Sequence, residues 1–529
     1  MYPYNKKPYQ FIKPDIQPLY LHGSTMAKNE ASTIEVKLFV DKEKKKVLFA
    51  ESDREFVDVL FGFLTMPLGT IARLLGKQSQ MGCLDELYKS VEDLNSEYFQ
   101  TKACKAMLLK PLNAASSHCC RLKINIDDTN PRAVYVCKDT NCSARGDCAF
   151  SSVPDTICKC GKVMDYAGDR PEDVAKSAAG SEIGVFVNGR QKFITTDNLQ
   201  VAPASTSLML SLCQKFGVQD PADLEQSILQ LTSEKITSLL KRSLTSNQPL
   251  TGLHFDVPIS PDDATVCMIP ENLCPEQVNE TEEKLGNVKI KILQTKINST
   301  VLYAEVGHDF VDLVFGLLSV PLGSITKTFG KRLSKGCIDN LYRSISGSAE
   351  GCMGPGYQRL LLAPELAPFF GSVGSKILQV VESAPKKISI NSCFTCFKVG
   401  GFSNLGGCRE VYRGTYAYCF NTPKTAEICE LLDPKSSGAK SGNSDAYVKQ
   451  APHSFMVTDD LRVRPLSLDG TLRVVSEAKM QMKELVEKEV TLTRFQVMEL
   501  QRAALMNRDA LSSVLLPPKK KKNLKHLRY

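Results

Sequence analysis

The chain of 529 residues is too long for one core, because a single hydrophobic core rarely organises more than about 250–300 residues, so two or more domains are expected. At 43% hydrophobic and 23% charged residues the composition is globular, which excludes a disordered or membrane-embedded class. The net charge of +8 sits at the ends: residues 517–529 hold six basic side chains and no acid, residues 1–25 a net +2, and the neutral body between them disfavours a folded nucleic-acid-binding core.

Residues 1–33, rich in Tyr, Pro and Lys without a period, are expected to form a disordered N-terminal extension, and Met26 offers a second start. This stretch lacks the apolar run of a secretory signal. The nineteen cysteines, an odd number, are therefore expected to be mostly reduced in an intracellular protein. From Ile34 onward Val36, Leu38 and Val40 alternate with polar residues, a charged turn follows at 41–46, and Val47 and Phe49 resume the alternation; two short strands are expected. Ser52-Asp-Arg-Glu55 has the spacing of a capping box. Phe56, Leu60, Phe63 and Leu64 then share a helical face, Pro67 is expected to end that helix, and a shorter helix over 70–75 stops at Gly76. A third helix is expected over 83–94, with Leu84, Leu87, Tyr88 and Val91 inward. The apolar run 56–75 is not a membrane span, because Asp58 and Arg73 would be costly at bilayer depth.

A turn-rich region follows, carrying Cys137, Cys142, Cys148, Cys158 and Cys160. Beyond it lie a strand pair over 193–203, a helix over 234–244, and a linker at 256–287 rich in Pro, Asp and Glu. The pattern then repeats. Residues 301–344 align with 47–90 without a gap at an offset of 254, and 22 of the 44 positions are identical, among them Asp58/Asp312, Pro67/Pro321 and Cys83/Cys337. A cysteine region with Cys393, Cys396, Cys408 and Cys419 follows, then a flexible loop expected at 433–446. A strand pair over 455–465 and a helix over 495–505 complete the second copy. An ungapped match of this length marks a tandem duplication. The expected fold is α+β, with two homologous tandem domains at 34–255 and 288–515. Each carries short antiparallel strands, a helical cluster and a cysteine-bearing turn-rich insert; a basic disordered tail occupies 516–529.

Gly69 and Gly76-Lys77 resemble a phosphate loop only superficially. Six residues rather than four separate the glycines and Gln78 follows the lysine, so helix stops are expected there. Asp58 and Asp312, each inside a very apolar helix, need donors; a buried structural hydrogen bond is expected in preference to acid–base chemistry. The six histidines form no metal-spaced pair. Cys83 and Cys337 begin helices and read as small buried hydrophobes rather than reactive thiols. Cys137, Cys142, Cys158 and Cys160 form two close pairs across a turn-rich loop, a candidate structural zinc site of four thiolates, with Cys148 pointing elsewhere. Free thiols are the alternative, because Cys-x-Cys is an uncommon zinc pair. The run Lys519–Lys522 has the composition of a nuclear-import signal or of a solvated charged end.

The block VLFAES…FVDVLFGFLTMPLG…GCLDELY, the Cys-x-Cys-Gly element and the ending TDDLRVRPLS together resemble the plant proteins grouped as domain-of-unknown-function family 674, over nearly all of 34–515. The resemblance implies a plant source and supplies no catalytic residues; the second copy departs from the pattern at its cysteines. The reading favoured by the residues is an intracellular protein, cytoplasmic and/or nuclear, that acts by binding a protein partner, with no membrane span and no enzymatic site. The alternatives are an enzyme using a cysteine or carboxylate shared by both repeats, and a nuclear nucleic-acid-associated factor.

Overall fold

The computed structural model describes residues 32–137, 149–169, 184–189, 191–258, 288–296, 300–330, 336–392, 425–437 and 445–516. Alternation of Val36, Leu38 and Val40 with Glu35 and Lys37 gives β1 (Ile34–Asp41) one buried face. The chain turns through Lys45, at φ 47°, into β2 (Lys46–Ser52). The expected capping box does not form. Pairing of β2 continues through Ser52 to Phe193, so Ser52 is spent in the strand and Asp53 becomes the N-cap of α1 (Arg54–Gly62), with no side-chain cap hydrogen bond.

Pro67 also acts differently from expectation. Helix α1 ends in a 3-10 turn at Phe63–Thr65, Met66 is extended as a residue before proline must be, and Pro67 heads α2 (Leu68–Leu74). Gly76, at φ +60°, is the expected left-handed stop. Next come α3 (Leu84–Asp93), α4 (Lys102–Leu109) and α5 (Ser116–Cys119), and then β3 (Ala133–Val136), β4 (Ala149–Ser151) and β5 (Tyr166–Asp169). The first half closes with β6 (Phe193–Thr196), β7 (Val201–Pro203), α6 (Thr206–Phe216), β8 (Leu224–Leu231), α7 (Ser233–Thr245) and α8 (Pro249–His254).

The second half begins with β9 (Val288–Thr295), β10 (Val301–Val306), α9 (His308–Phe315), α10 (Leu322–Phe329) and α11 (Ile338–Ile345). It continues through α12 (Tyr357–Leu362), α13 (Val373–Ile377), β11 (Ile388–Ser392) and β12 (Thr425–Leu431). It ends with β13 (Phe455–Thr458), β14 (Val463–Pro465), α14 (Leu468–Glu477), β15 (Leu485–Leu492), α15 (Arg494–Met506) and α16 (Ala510–Leu515).

The class is mixed α+β, as expected. Two antiparallel sheets share one strand order, β7-β6-β2-β1-β8 and β14-β13-β10-β9-β15. They also share a register: Lys37 faces Glu51 as Lys291 faces Glu305, and Leu38 faces Ala50 as Ile292 faces Ala304. Between them α1–α3 and α9–α11 meet in a single buried apolar core drawn from both halves. At its centre Pro67 and Pro321 form an antiparallel bridge, flanked by Leu68 N donating to Val320 O (3.0 Å) and Leu322 N donating to Met66 O (2.9 Å). Gly69 and Gly323 permit this approach. A Cβ on Gly69 would lie 2.9 Å from Leu108 O and 3.0 Å from Leu318 O, and one on Gly323 2.9 Å from both Leu361 O and Leu64 O. Gly69 of the loop-like motif thus serves backbone contact inside a helix rather than stopping one, and Gly76 alone is a helix stop.

A third sheet, β11-β12-β4-β3-β5, takes strands from both halves. Its joint is the parallel pair β4–β12, with Ala149 opposite Glu430 and Phe150 opposite Leu431. No helix among the described residues is long and apolar enough to cross a membrane.

Candidate metal centre

Cys137 leaves the end of β3, and Cys158 and Cys160 sit in a tight hairpin over 156–164. Met164 N donates to Thr156 O, Cys158 N to Lys162 O and Gly161 N to Cys158 O, each at 2.8 Å. Gly161, at φ +84°, turns the chain directly behind Cys160, a conformation that a side chain would strain. Ser151 anchors the hairpin to β4 through its hydroxyl, 2.7 Å from that of Thr156. The hairpin brings the sulfurs of Cys137, Cys158 and Cys160 within 4.8 Å of one another, and Cys137 Sγ lies 3.6 Å from Cys160 Sγ. Thiolates on a tetrahedral zinc at about 2.3 Å are about 3.8 Å apart, so this spacing fits the ion. Cys158 is buried against Ala149, Met164 and Leu432, whereas Cys160 is exposed. Beside the cluster Glu430 of β12 pairs with Lys387 (3.1 Å) and Lys159 (3.5 Å).

The structure therefore gathers three of the four candidate ligands. Cys142 lies outside the described residues, as do Cys148 and Cys393, Cys396, Cys408 and Cys419 of the second half. Cys429, in β12, is disulfide-bonded. No other cluster of His, Cys, Asp and Glu with metal-ligand spacing occurs among the described residues.

The buried carboxylates take the structural role expected of them. Asp58 accepts from the backbone N–H groups of Val185 (2.8 Å), Phe186 (2.9 Å) and Val187 (2.9 Å). Asp312 accepts from Tyr447 N (2.5 Å) and Val448 N (3.1 Å). Burial outweighs these bonds and pushes both carboxyls up to about 6. Cys83 and Cys337 are buried, and burial raises both thiols. Cys83 Sγ donates to Asn507 O at 3.0 Å, Cys337 Sγ to Ser243 O at 3.7 Å. A protonated, bonded thiol of this kind is a packing group rather than a nucleophile.

Two further polar sites escaped the sequence reading. Asp197 accepts from Thr251 N (2.9 Å) and its hydroxyl (2.6 Å), and Asp459 accepts from Ser512 N (2.8 Å) and its hydroxyl (2.5 Å). Their occurrence as Thr196-Asp197 and Thr458-Asp459 at the same place in the matching endings was the available signal. Lys435 lies in the stretch expected to be a flexible loop, yet it is 2% exposed. Its ammonium donates to Gly371 O and to Asp445 O and stands 4.1 Å from the centre of the Tyr447 ring. Pro434 O accepts from the Thr101 hydroxyl at 2.7 Å. Pro434 and Lys435 are thus packed, because a long side chain found carbonyl acceptors and an aromatic face that composition does not reveal.

Together these features describe a mixed α+β protein with a cluster of three cysteines beside a sheet shared by its two halves. The chain belongs to the family described as protein of unknown function, DUF674, which matches residues 30–495. No curated protein and no solved structure matches the chain.

Proposed function

We propose that the chain is a binding or interaction protein, not an enzyme, built by tandem duplication of a unit represented at 34–255 and 288–515, with 256–287 as linker. Cys137, Cys142, Cys158 and Cys160 hold one structural zinc ion. The observation that carries the metal assignment is the convergence of three sulfurs at zinc-like spacing on a glycine turn. All four positions taken by thiolates leave none open for substrate, so the ion stabilises a fold and performs no reaction. Shared strand order and register support the duplication.

The binding reading draws on the outer faces of the two matching sheets. Helix α6 exposes Met209 and Leu210, β8 exposes Ile228, and α14 exposes Leu468 and Leu472, with Leu468 at 85%. Apolar side chains held in water at corresponding places in both halves suit protein contact. The partner is a protein, and the site of action is the cytoplasm and/or the nucleus.

Two measurements on the full chain test this. Purified protein contains about one zinc per chain, and Cys158→Ser removes it while Cys83→Ser does not; equal zinc in both variants overturns the metal assignment. A protein captured by the full chain and then purified binds it directly, and binding falls at least tenfold with Leu210→Asp plus Leu468→Asp. Undiminished binding by that variant overturns the surface.

A further inference from the structure

Backbone hydrogen bonds cross between the halves in matched pairs. Cys83 N, the first donor of α3, gives to Ala504 O in the last turn of α15 (2.7 Å), and Cys337 N at the start of α11 gives to Ser243 O in the last turn of α7 (2.9 Å). Val463 N gives to Ser90 Oγ and Val201 N to Ser344 Oγ, both at 2.9 Å. Gln100 N gives to Tyr447 O (2.8 Å) and Gly354 N to Phe186 O (2.9 Å). Lys449 N gives to Tyr98 O (2.9 Å) and Asn188 N to Cys352 O (2.8 Å). The pair beside Pro67 and Pro321 adds a fifth match, whereas the β4–β12 strand pair and the bond from Thr101 to Pro434 O cross between the halves singly.

A helix start carries N–H groups, and a helix end carries carbonyls, that have no partner within the helix. Here the start of α3 and the end of α15 satisfy one another, although they lie in different halves. Gly82 and Gly336 stand where any Cβ would collide with the backbone of residues 504–506 and 243–244 respectively, so each seat is shaped for the other half. The segment that Asp58 grips, 185–187, is also the one whose Phe186 O receives Gly354 N.

We propose that the two halves are obligate partners: each is an incomplete folding unit whose docking surface fits its counterpart, and the chain folds as a single, covalently joined two-fold pair. The repeat boundaries then mark units of sequence and not units of independent stability. This inference stands on the cross-half contacts and is separate from the binding and zinc readings.

The test uses the full chain with a specific protease site placed within 259–287 and cut after folding. The two fragments are expected to co-elute as one particle of the uncut size and to unfold in one urea transition. Cutting makes that transition bimolecular, so its midpoint falls with each tenfold dilution, equivalent to about 1.4 kcal/mol, while the uncut midpoint does not move. Fragments that elute separately as folded particles, or a cut midpoint independent of concentration, overturn the proposal. In the uncut chain, Gly336→Val is expected to cost amide-exchange protection in α7 and β1 as well as in α11; loss confined to residues 288–516 overturns it equally.

Discussion

Asp58 is the most consequential single side chain to remove, because three backbone donors converge on it in the core. In Asp58→Ala the N–H groups of Val185, Phe186 and Val187 lose their acceptor together. An orphaned buried donor costs about 1–3 kcal/mol, and relaxation of the segment toward water caps the sum, giving about 3–6 kcal/mol. Asp58→Asn keeps one acceptor oxygen. Placed where Oδ1 now stands, it still serves Phe186 and Val187, while its NH2 faces Val185 N, so the cost is about 1–3 kcal/mol. Urea unfolding at neutral pH followed by circular dichroism measures both, with the slope checked for constancy. Amide exchange should show 185–188 and the facing 352–354 losing protection together, since Phe186 O and Asn188 N tie the two segments. An Asp58→Ala cost below about 1 kcal/mol, or Asn as costly as Ala, would refute the reasoning, because the loop would then be held by something other than the carboxylate.

The same residue sets a pH dependence. Burial raises Asp58 and Asp312 from 3.8 to about 6, so the stability each contributes is fully present below the unfolded value and is lost as pH rises through about 6. Asp58→Asn removes one of these titrations; its deficit relative to wild type should be larger at pH 4.5 than at pH 7.5, by about 2 kcal/mol, read from urea midpoints. Lys435→Met strips Gly371 O and Asp445 O of their donor and should lower stability by about 1–3 kcal/mol, measured as a drop in thermal midpoint; an unchanged midpoint would mean that those carbonyls find water. Gly69→Ala should cost about 1–3 kcal/mol from overpacking, whereas Gly351→Ala, with open space around it, should be neutral within about 0.5 kcal/mol; equal midpoints for the two variants would contradict the close approach at Pro67–Pro321.

Much of the local structure was legible because it rests on short-range period and turn chemistry. Val36, Leu38 and Val40 announce β1 through alternation, and Leu84, Leu87 and Val91 announce α3 through helical spacing. Gly76 marks a helix stop and Gly161 a tight turn, since a left-handed backbone favours glycine. The offset of 254 between the two blocks anticipated the matching register of β1–β2 and β9–β10. Even the fate of Asp58 followed from its apolar neighbours, which leave a carboxylate no option but to find donors.

Tertiary structure decided the rest, where local signals were silent or outbid. Ser52 has the sequence of a cap, but pairing to Phe193, 141 positions on, claims it for the strand. Nothing near Cys83 in sequence names Ala504 O as the acceptor for its N–H, and nothing near Ala149 names Glu430 as its strand partner. Lys435 sits among Ser, Gly and Lys, and only the placement of Gly371, Asp445 and Tyr447 makes it a core residue. The physical reason is common to all four. Periodicity records which face of an element seeks burial, whereas the choice of partner depends on where distant backbone donors and acceptors come to rest, and that is settled only when the whole chain packs.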